Sequence, residues 1–277
     1  MTIEQAPHLA AQSITLGYKE KTICRDLSLA VQPGSFTVII GPNACGKSTL
    51  LRALARLLVP AEGSVLLDGQ DIARLPTKSV ARRLGLLPQS FAAPDGITVS
   101  ELVGRGRYPH QSFLRQWSAA DEEAVHAAMT DTDIAGLANQ PVDTLSGGQR
   151  QRAWVAMALA QETSLLLLDE PTTFLDIAHQ IELLDLFEAL NRKGRTIVAV
   201  LHDLNQASRY ASHLVAMREG TIVAEGAPAA IVTPEMIKSV FDLDSVVFPD
   251  PVTGSPLVVP SRRPNSSACP CEIASEG

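Results

Sequence analysis

Two kinds of apolar run and the turn chemistry around them predict an α/β fold for this chain of 277 residues. Residues 165–168 and 197–201 are apolar at every position, as strands covered on both faces are, and such strands belong to parallel sheets flanked by helices. Between them Ile177, Ile181, Leu184 and Phe187 recur at helical spacing, closed by Asn191-Arg192-Lys193-Gly194. Strand, helix, strand is the repeating unit of an α/β core.

The elements follow in order. Leu27, Leu29 and Val31 alternate with polar or small residues and stop at Pro33-Gly34, the signature of a half-buried strand and a turn. The run at 65–67, closed by Asp68-Gly69, reads the same way, so the early strands predict an antiparallel β subdomain. A third strand is expected at 37–40. The rhythm breaks between about 91 and 145, which predicts an inserted helical subdomain. It opens on Pro94-Asp95-Gly96 and passes an irregular piece around Tyr108-Pro109-His110. Ser118 and Asp121 then form a capping box for a helix through Met129. A short helix is expected near 235–241 and a hairpin across Val252-Thr253-Gly254. From Ser261 the Ser- and Pro-rich end reads as a disordered tail. The expected division is a core over 1–90 and 160–230, a helical subdomain over 91–159, an appendage over 231–260 and the tail over 261–277.

Composition narrows the function. The net charge is −7, from 23 basic and 30 acidic residues, which argues against a general nucleic-acid binder. No apolar run approaches the roughly 18 residues that span a bilayer, and the N-terminus carries no basic region followed by an apolar stretch. Four cysteines in this length are no disulfide framework.

Gly41-Pro42-Asn43-Ala44-Cys45-Gly46-Lys47-Ser48-Thr49 fits the phosphate-binding loop in full, between an apolar strand and a helix rich in Leu, Ala and Arg. Gly41 and Gly46 let consecutive backbone N–H groups face inward, and the helix adds its positive end. Lys47 reaches the β- and γ-phosphates and the Ser48 hydroxyl suits Mg²⁺. This loop in this setting resembles that of P-loop NTPases, and the resemblance implies a core of RecA-like type. Asp169, at the tip of an apolar strand, suits Mg²⁺ through water, and Glu170 beside it can orient or deprotonate the attacking water. Ser146 and Gln149 cap another helix, whose start, Gly147-Gly148, exposes a second set of N–H groups to an anion. The spacing leaves open whether the two anion sites meet within one chain or between two.

With Leu145-Ser146-Gly147-Gly148-Gln149 in place, residues 8 to 260 resemble the ATPase subunit of ATP-binding-cassette (ABC) transporters, whose signature is this pentapeptide. The resemblance implies that Tyr18 stacks on adenine, that Gln89 contacts Mg²⁺ and the attacking water and reports to the membrane subunit, and that His202 contacts the γ-phosphate. It places Asp176 in the loop that crosses between subunits. It implies a head-to-tail homodimer, with each ATP between the phosphate loop of one copy and Ser146, Gly147, Gly148 and Gln149 of the other. Lys47, Glu170, Gln89 and His202 are then the catalytic set, and Ser48, Gln89 and Asp169 hold Mg²⁺.

The segments Gly104-Arg105-Gly106-Arg107-Tyr108-Pro109-His110-Gln111, 174–180 and Asp250-Pro251-Val252-Thr253-Gly254 resemble the branch serving ferric siderophore import, with cobalamin and haem importers as near relatives. The implied partners are integral membrane permease subunits and, indirectly, a substrate-binding protein. The implied location is the cytoplasmic face of the cell membrane. A soluble cassette ATPase of cofactor assembly or nucleic-acid work, and a P-loop kinase of a small metabolite, are the competing readings. Cys45 reads either as a small residue at a tolerant position or as a thiol activated by Lys47 and the helix terminus. Cys269-Pro270-Cys271 offers too few ligands for structural zinc.

Overall fold

The computed structural model describes residues 8–19, 21–89, 93–111, 117–173 and 175–261. In chain order its elements are β1 (Leu9–Tyr18), β2 (Lys21–Val31), β3 (Phe36–Ile40), α1 (Lys47–Leu54), β4 (Glu62–Leu67), β5 (Gln70–Asp71), α2 (Thr77–Ala81) and β6 (Leu84–Leu87). Then come α3 (Val99–Gly104), a 3₁₀ turn (Arg105–His110), α4 (Ala119–Asp131) and α5 (Gly147–Ala160). The core resumes with β7 (Leu165–Asp169), α6 (Ile177–Arg192), β8 (Thr196–Val200), α7 (Leu204–Tyr210), β9 (His213–Arg218) and β10 (Thr221–Gly226). The described chain closes with α8 (Pro228–Ile231), α9 (Pro234–Phe241), β11 (Ser245–Pro249) and β12 (Pro256–Pro260).

A six-stranded sheet runs β10-β9-β3-β8-β7-β6, and every pair in it except β10–β9 is parallel. The antiparallel sheet predicted for the early strands is also present, in the order β2-β1-β4-β5.

The all-apolar strands are explained by period-2 geometry with both faces covered. Phe36, Val38 and Ile40 of β3, with Leu166, Leu168, Ile197 and Ala199, face a core shared with α3, α4, α5 and α6. Ile39, with Leu165, Leu167, Val198 and Val200, faces a second core shared with α1 and the antiparallel sheet. The phosphate-loop helix and the signature helix therefore lie on opposite faces of one sheet.

The capping boxes at Ser118/Asp121 and Ser146/Gln149 are both formed. The piece around Tyr108-Pro109-His110 is not irregular: it is a 3₁₀ turn. Gly106 permits it, because a Cβ there would stand 2.2 Å from the Met157 carbonyl of α5. The expected hairpin is β11–β12, and it is pinned on α7. Arg209 Nη2 donates to Asp250 Oδ2 at 2.7 Å, and Val258 N–H donates to Asn205 Oδ1 at 2.7 Å. Ser261 donates its N–H to the Asp244 carbonyl at 2.8 Å, so it belongs to the hairpin rather than to a tail. The remainder of the tail, with Cys269 and Cys271, lies outside the described residues. Among the described residues, no helix is long and apolar enough to cross a membrane.

Candidate active site

The site is assembled by strand order. β6, β7 and β8 are neighbouring parallel strands, so the loops at their C-terminal ends are neighbours too. Gln89 follows β6, Glu170 follows β7 and His202 follows β8, and ligands of open α/β sheets bind at such ends. Gln89 Nε2 donates to Glu170 Oε2 at 2.6 Å, and His202 Nε2 lies 2.7 Å from Glu170 Oε1. The Thr173 hydroxyl donates to Glu170 Oε2 at 3.5 Å. Both carboxylate oxygens are thus held by residues far apart in sequence.

The phosphate loop joins β3 to α1. Gly46, the N-cap of α1, has φ 108°, and Gly41 has φ 152° with the Met217 carbonyl 2.2 Å from where a Cβ would sit. Both positions exclude side chains on geometric grounds. Lys47 is buried, and its ammonium donates to the Gly41 and Pro42 carbonyls at 2.9 Å each. This arches the side chain over its own loop. Asn43, Ala44, Gly46, Lys47, Ser48 and Thr49 line a cleft of about 290 Å³ together with Glu170. Lys21 and Ile23 of β2 also line it, which the sequence reading missed. Lys21 pairs with Tyr18 across the β1–β2 turn, a placement set by strand register that the sequence alone does not show. Tyr18 is half-exposed and accepts a 3.4 Å hydrogen bond from Arg52 of α1.

Ser48 Oγ donates to Asp169 Oδ1 at 2.9 Å, across 121 residues of sequence. Burial is the main cause that pushes the Asp169 carboxyl up, opposed by the Ser48 hydrogen bond, with the Glu170 charge adding to the rise. A hydroxyl and a carboxylate side by side are hard oxygen donors of the kind Mg²⁺ takes while keeping water and phosphate ligands. Among the described residues, no cluster of three His, Cys, Asp or Glu side chains is arranged to hold a metal by itself.

Cys45 is not activated. Its thiol is buried, and burial pushes its pKa up against the lowering effect of Lys47. Cys24, behind Gly46, is pushed up to about 11 by burial, with Cys45 adding. Of the two readings of Cys45, the placement favours the small residue at a tolerant position, because desolvation outweighs the helix terminus and the ammonium.

The signature residues sit elsewhere. Ser146 caps α5 and Gly147 faces open space. Gly148 lines a separate cleft of about 240 Å³ with Arg152, Leu175 and His179. None of Ser146, Gly147, Gly148 or Gln149 lines the phosphate-loop cleft. This bears on the question left open by the sequence: within one chain the N-termini of α1 and α5 open into different clefts. Asp176 caps α6, accepting from the His179 N–H at 2.9 Å, with His179 Nδ1 at 2.7 Å. The His179 contacts hold this exposed carboxyl below the usual range.

Comparison with known proteins adds to this geometry. Residues 24–173 match the protein family described as ABC transporter. The chain is 59% identical over 261 residues to the ferric enterobactin transport ATP-binding protein FepC of Escherichia coli (strain K12), covering 94% of this chain and 96% of that protein. It is 44% identical over 250 residues to the iron(3+)-hydroxamate import ATP-binding protein FhuC of Bacillus subtilis (strain 168), covering 90% and 93%. Among solved structures it is similar to a dimeric ATP-binding cassette in a post-hydrolysis state with ADP and Pi. There the TM-score is 0.70 and the identity 27%, covering 79% of this chain and 98% of that one.

Proposed function

The chain belongs to the ABC transporter ATP-binding family, and from that premise we propose that it hydrolyses ATP to drive uptake of an iron(III)–siderophore complex. Two relatives that match nearly its whole length are named for ferric enterobactin and iron(3+)-hydroxamate transport, which supports iron–siderophore as the cargo class. The observation that carries the hydrolytic reading is Glu170, held between Gln89 and His202 at the rim of the phosphate-loop cleft.

The residues divide the work of phosphoryl transfer, which needs γ-phosphate charge neutralised and a water held in line. The N–H groups of 41–49 cradle the phosphates, Lys47 exchanges its loop carbonyls for phosphate oxygens, and Tyr18 supports the adenine. Ser48 and Asp169 would hold Mg²⁺ with Gln89, and the ion would supply neutralising charge. Glu170 takes the proton of the attacking water, and Gln89 and His202 fix its two oxygens. Ser146, Gly147, Gly148 and Gln149 close the site from a second copy, whose Asp176 loop crosses the seam. The separate clefts in one chain support this arrangement. The core, the helical subdomain over 91–159 and the appendage over 231–260 are the working units. Permease subunits hold the dimer at the cytoplasmic face of the membrane, and a substrate-binding protein acts through them.

Gene deletion followed by uptake of defined ferric siderophores tests the cargo. Loss of at least one uptake activity, restored by the wild-type chain and not by Glu170→Gln, is expected. Unchanged uptake of every one removes the siderophore reading and leaves the ATPase reading standing.

A further inference from the structure

Gln151 lies in the second turn of α5, away from the helix end that carries the signature residues. Its side-chain Nε2 donates to the Pro171 carbonyl at 2.8 Å. Pro171 is buried and directly follows Glu170. The turn it belongs to needs outside support. Glu170 has φ 53°, a left-handed conformation that side-chain-bearing residues rarely adopt. The turn's own backbone bond, from Thr173 N–H to the Glu170 carbonyl, is long at 3.3 Å. Pro171 has no N–H, so the carbonyl is its only backbone hydrogen-bonding group.

The helix on the other side of this bond is rigid. Ala153, Trp154, Val155, Ala156, Ala158 and Leu159 are all buried, which fixes α5 in the large core. Constraint therefore runs from the helix to the turn, and cutting the bond frees the turn while leaving the helix in place.

We infer that Gln151 is a positioning residue for hydrolysis: it fixes the turn behind Glu170 from the helix whose first turn closes over the partner's nucleotide. It touches no substrate, and the inference rests on the reading of Glu170 as the base. It has a consequence for the pair of sites. In a head-to-tail dimer, α5 serves one nucleotide through Gly147 and Gly148 and the other through Gln151 and Glu170. One helix thus links both reaction centres.

Gln151→Glu tests this with a nearly isosteric change, since a carboxylate cannot donate and faces the carbonyl with like partial charge. Expected is a fall in kcat of about tenfold, the scale of a modest misplacement of a catalytic group, with KM for ATP changed by less than about twofold. The thermal midpoint stays at the wild-type value. Gln151→Lys keeps a donor and recovers about half of the lost rate or more. In a Glu170→Gln background, Gln151→Glu leaves the ATP-driven dimer seen by size-exclusion chromatography intact. Wild-type turnover in Gln151→Glu, no recovery in Gln151→Lys, or loss of the dimer or of the thermal midpoint along with the rate would overturn the inference. A wild-type chain without ATPase activity would overturn the base reading and this inference together. An active wild type with an unimpaired Gln151→Glu overturns this inference alone.

Discussion

Arg107→Met removes the cation from an ion pair whose side chains are 5% and 6% exposed. Arg107 Nε donates to Asp121 Oδ1 at 2.9 Å, and its Nη1 donates to the Ala160 carbonyl and to Glu162 Oε2 at 2.6 Å each. One side chain thus joins the 3₁₀ turn to the start of α4 and the end of α5. Breaking a buried pair by removing one partner costs about 3–5 kcal/mol, because the other charge stays uncompensated. Two features reduce that here. A cleft of about 230 Å³ lined by Arg82, Arg107, His110 and Asp121 admits water. Ser118 still donates to Asp121 through its N–H at 3.0 Å and its hydroxyl at 2.6 Å. The expected loss is about 2–3 kcal/mol at neutral pH. At about 2–4 °C per kcal/mol for a chain of this size, the thermal midpoint falls by about 4–12 °C. Differential scanning calorimetry reads it.

The pH dependence has a definite sign. The Ser118 hydroxyl first, and Arg107 after it, hold the Asp121 carboxyl below the usual range. A depressed carboxyl contributes its full stability above the unfolded value near pH 4 and loses it as pH falls through the folded value. The gap between Arg107→Met and wild type therefore narrows in acid. A midpoint within about 1 °C of wild type at pH 7 would refute the assignment of Arg107 as a buried clamp.

Gly41→Ala places a Cβ only 2.2 Å from the Met217 carbonyl oxygen; at a strain of about 2 kcal/mol, nucleotide affinity by fluorescence titration falls about thirtyfold. Alkylation of Cys45 is slow at pH 7, because burial keeps the thiol protonated, and ATP slows it further; mass spectrometry showing rapid labelling with ATP bound would contradict the buried placement. Asp250→Ala removes the acceptor of the Arg209, Val252 and Thr253 donors, so limited proteolysis within 245–260 accelerates while ATPase activity is retained.

The sequence made some of this legible for identifiable reasons. The strands at 165–168 and 197–201 were readable because each has both faces buried, so every position is apolar. The phosphate loop and Asp169-Glu170 were readable because their chemistry is local. Gln89 and His202 were not readable from spacing. They stand 81 and 32 residues from Glu170, and meet it only because β6, β7 and β8 are neighbours in the sheet. Resemblance supplied them, and strand order supplies the physical reason. The Gly106–His110 segment showed a pattern without a cause. The cause is a glycine pressed on the α5 backbone and an arginine buried between elements. The bond from Gln151 to Pro171 had no signal at all, since a glutamine on a polar helix turn looks like any other.

The central claim is that nucleotide is completed across a seam between two copies. Analytical ultracentrifugation of the Glu170→Gln chain with and without Mg·ATP tests it most directly. The account predicts a monomer without nucleotide, a dimer with ATP, and a return to monomer when Ser146 is also replaced by a bulky cation such as arginine. A chain that binds ATP with wild-type affinity yet stays monomeric would contradict it.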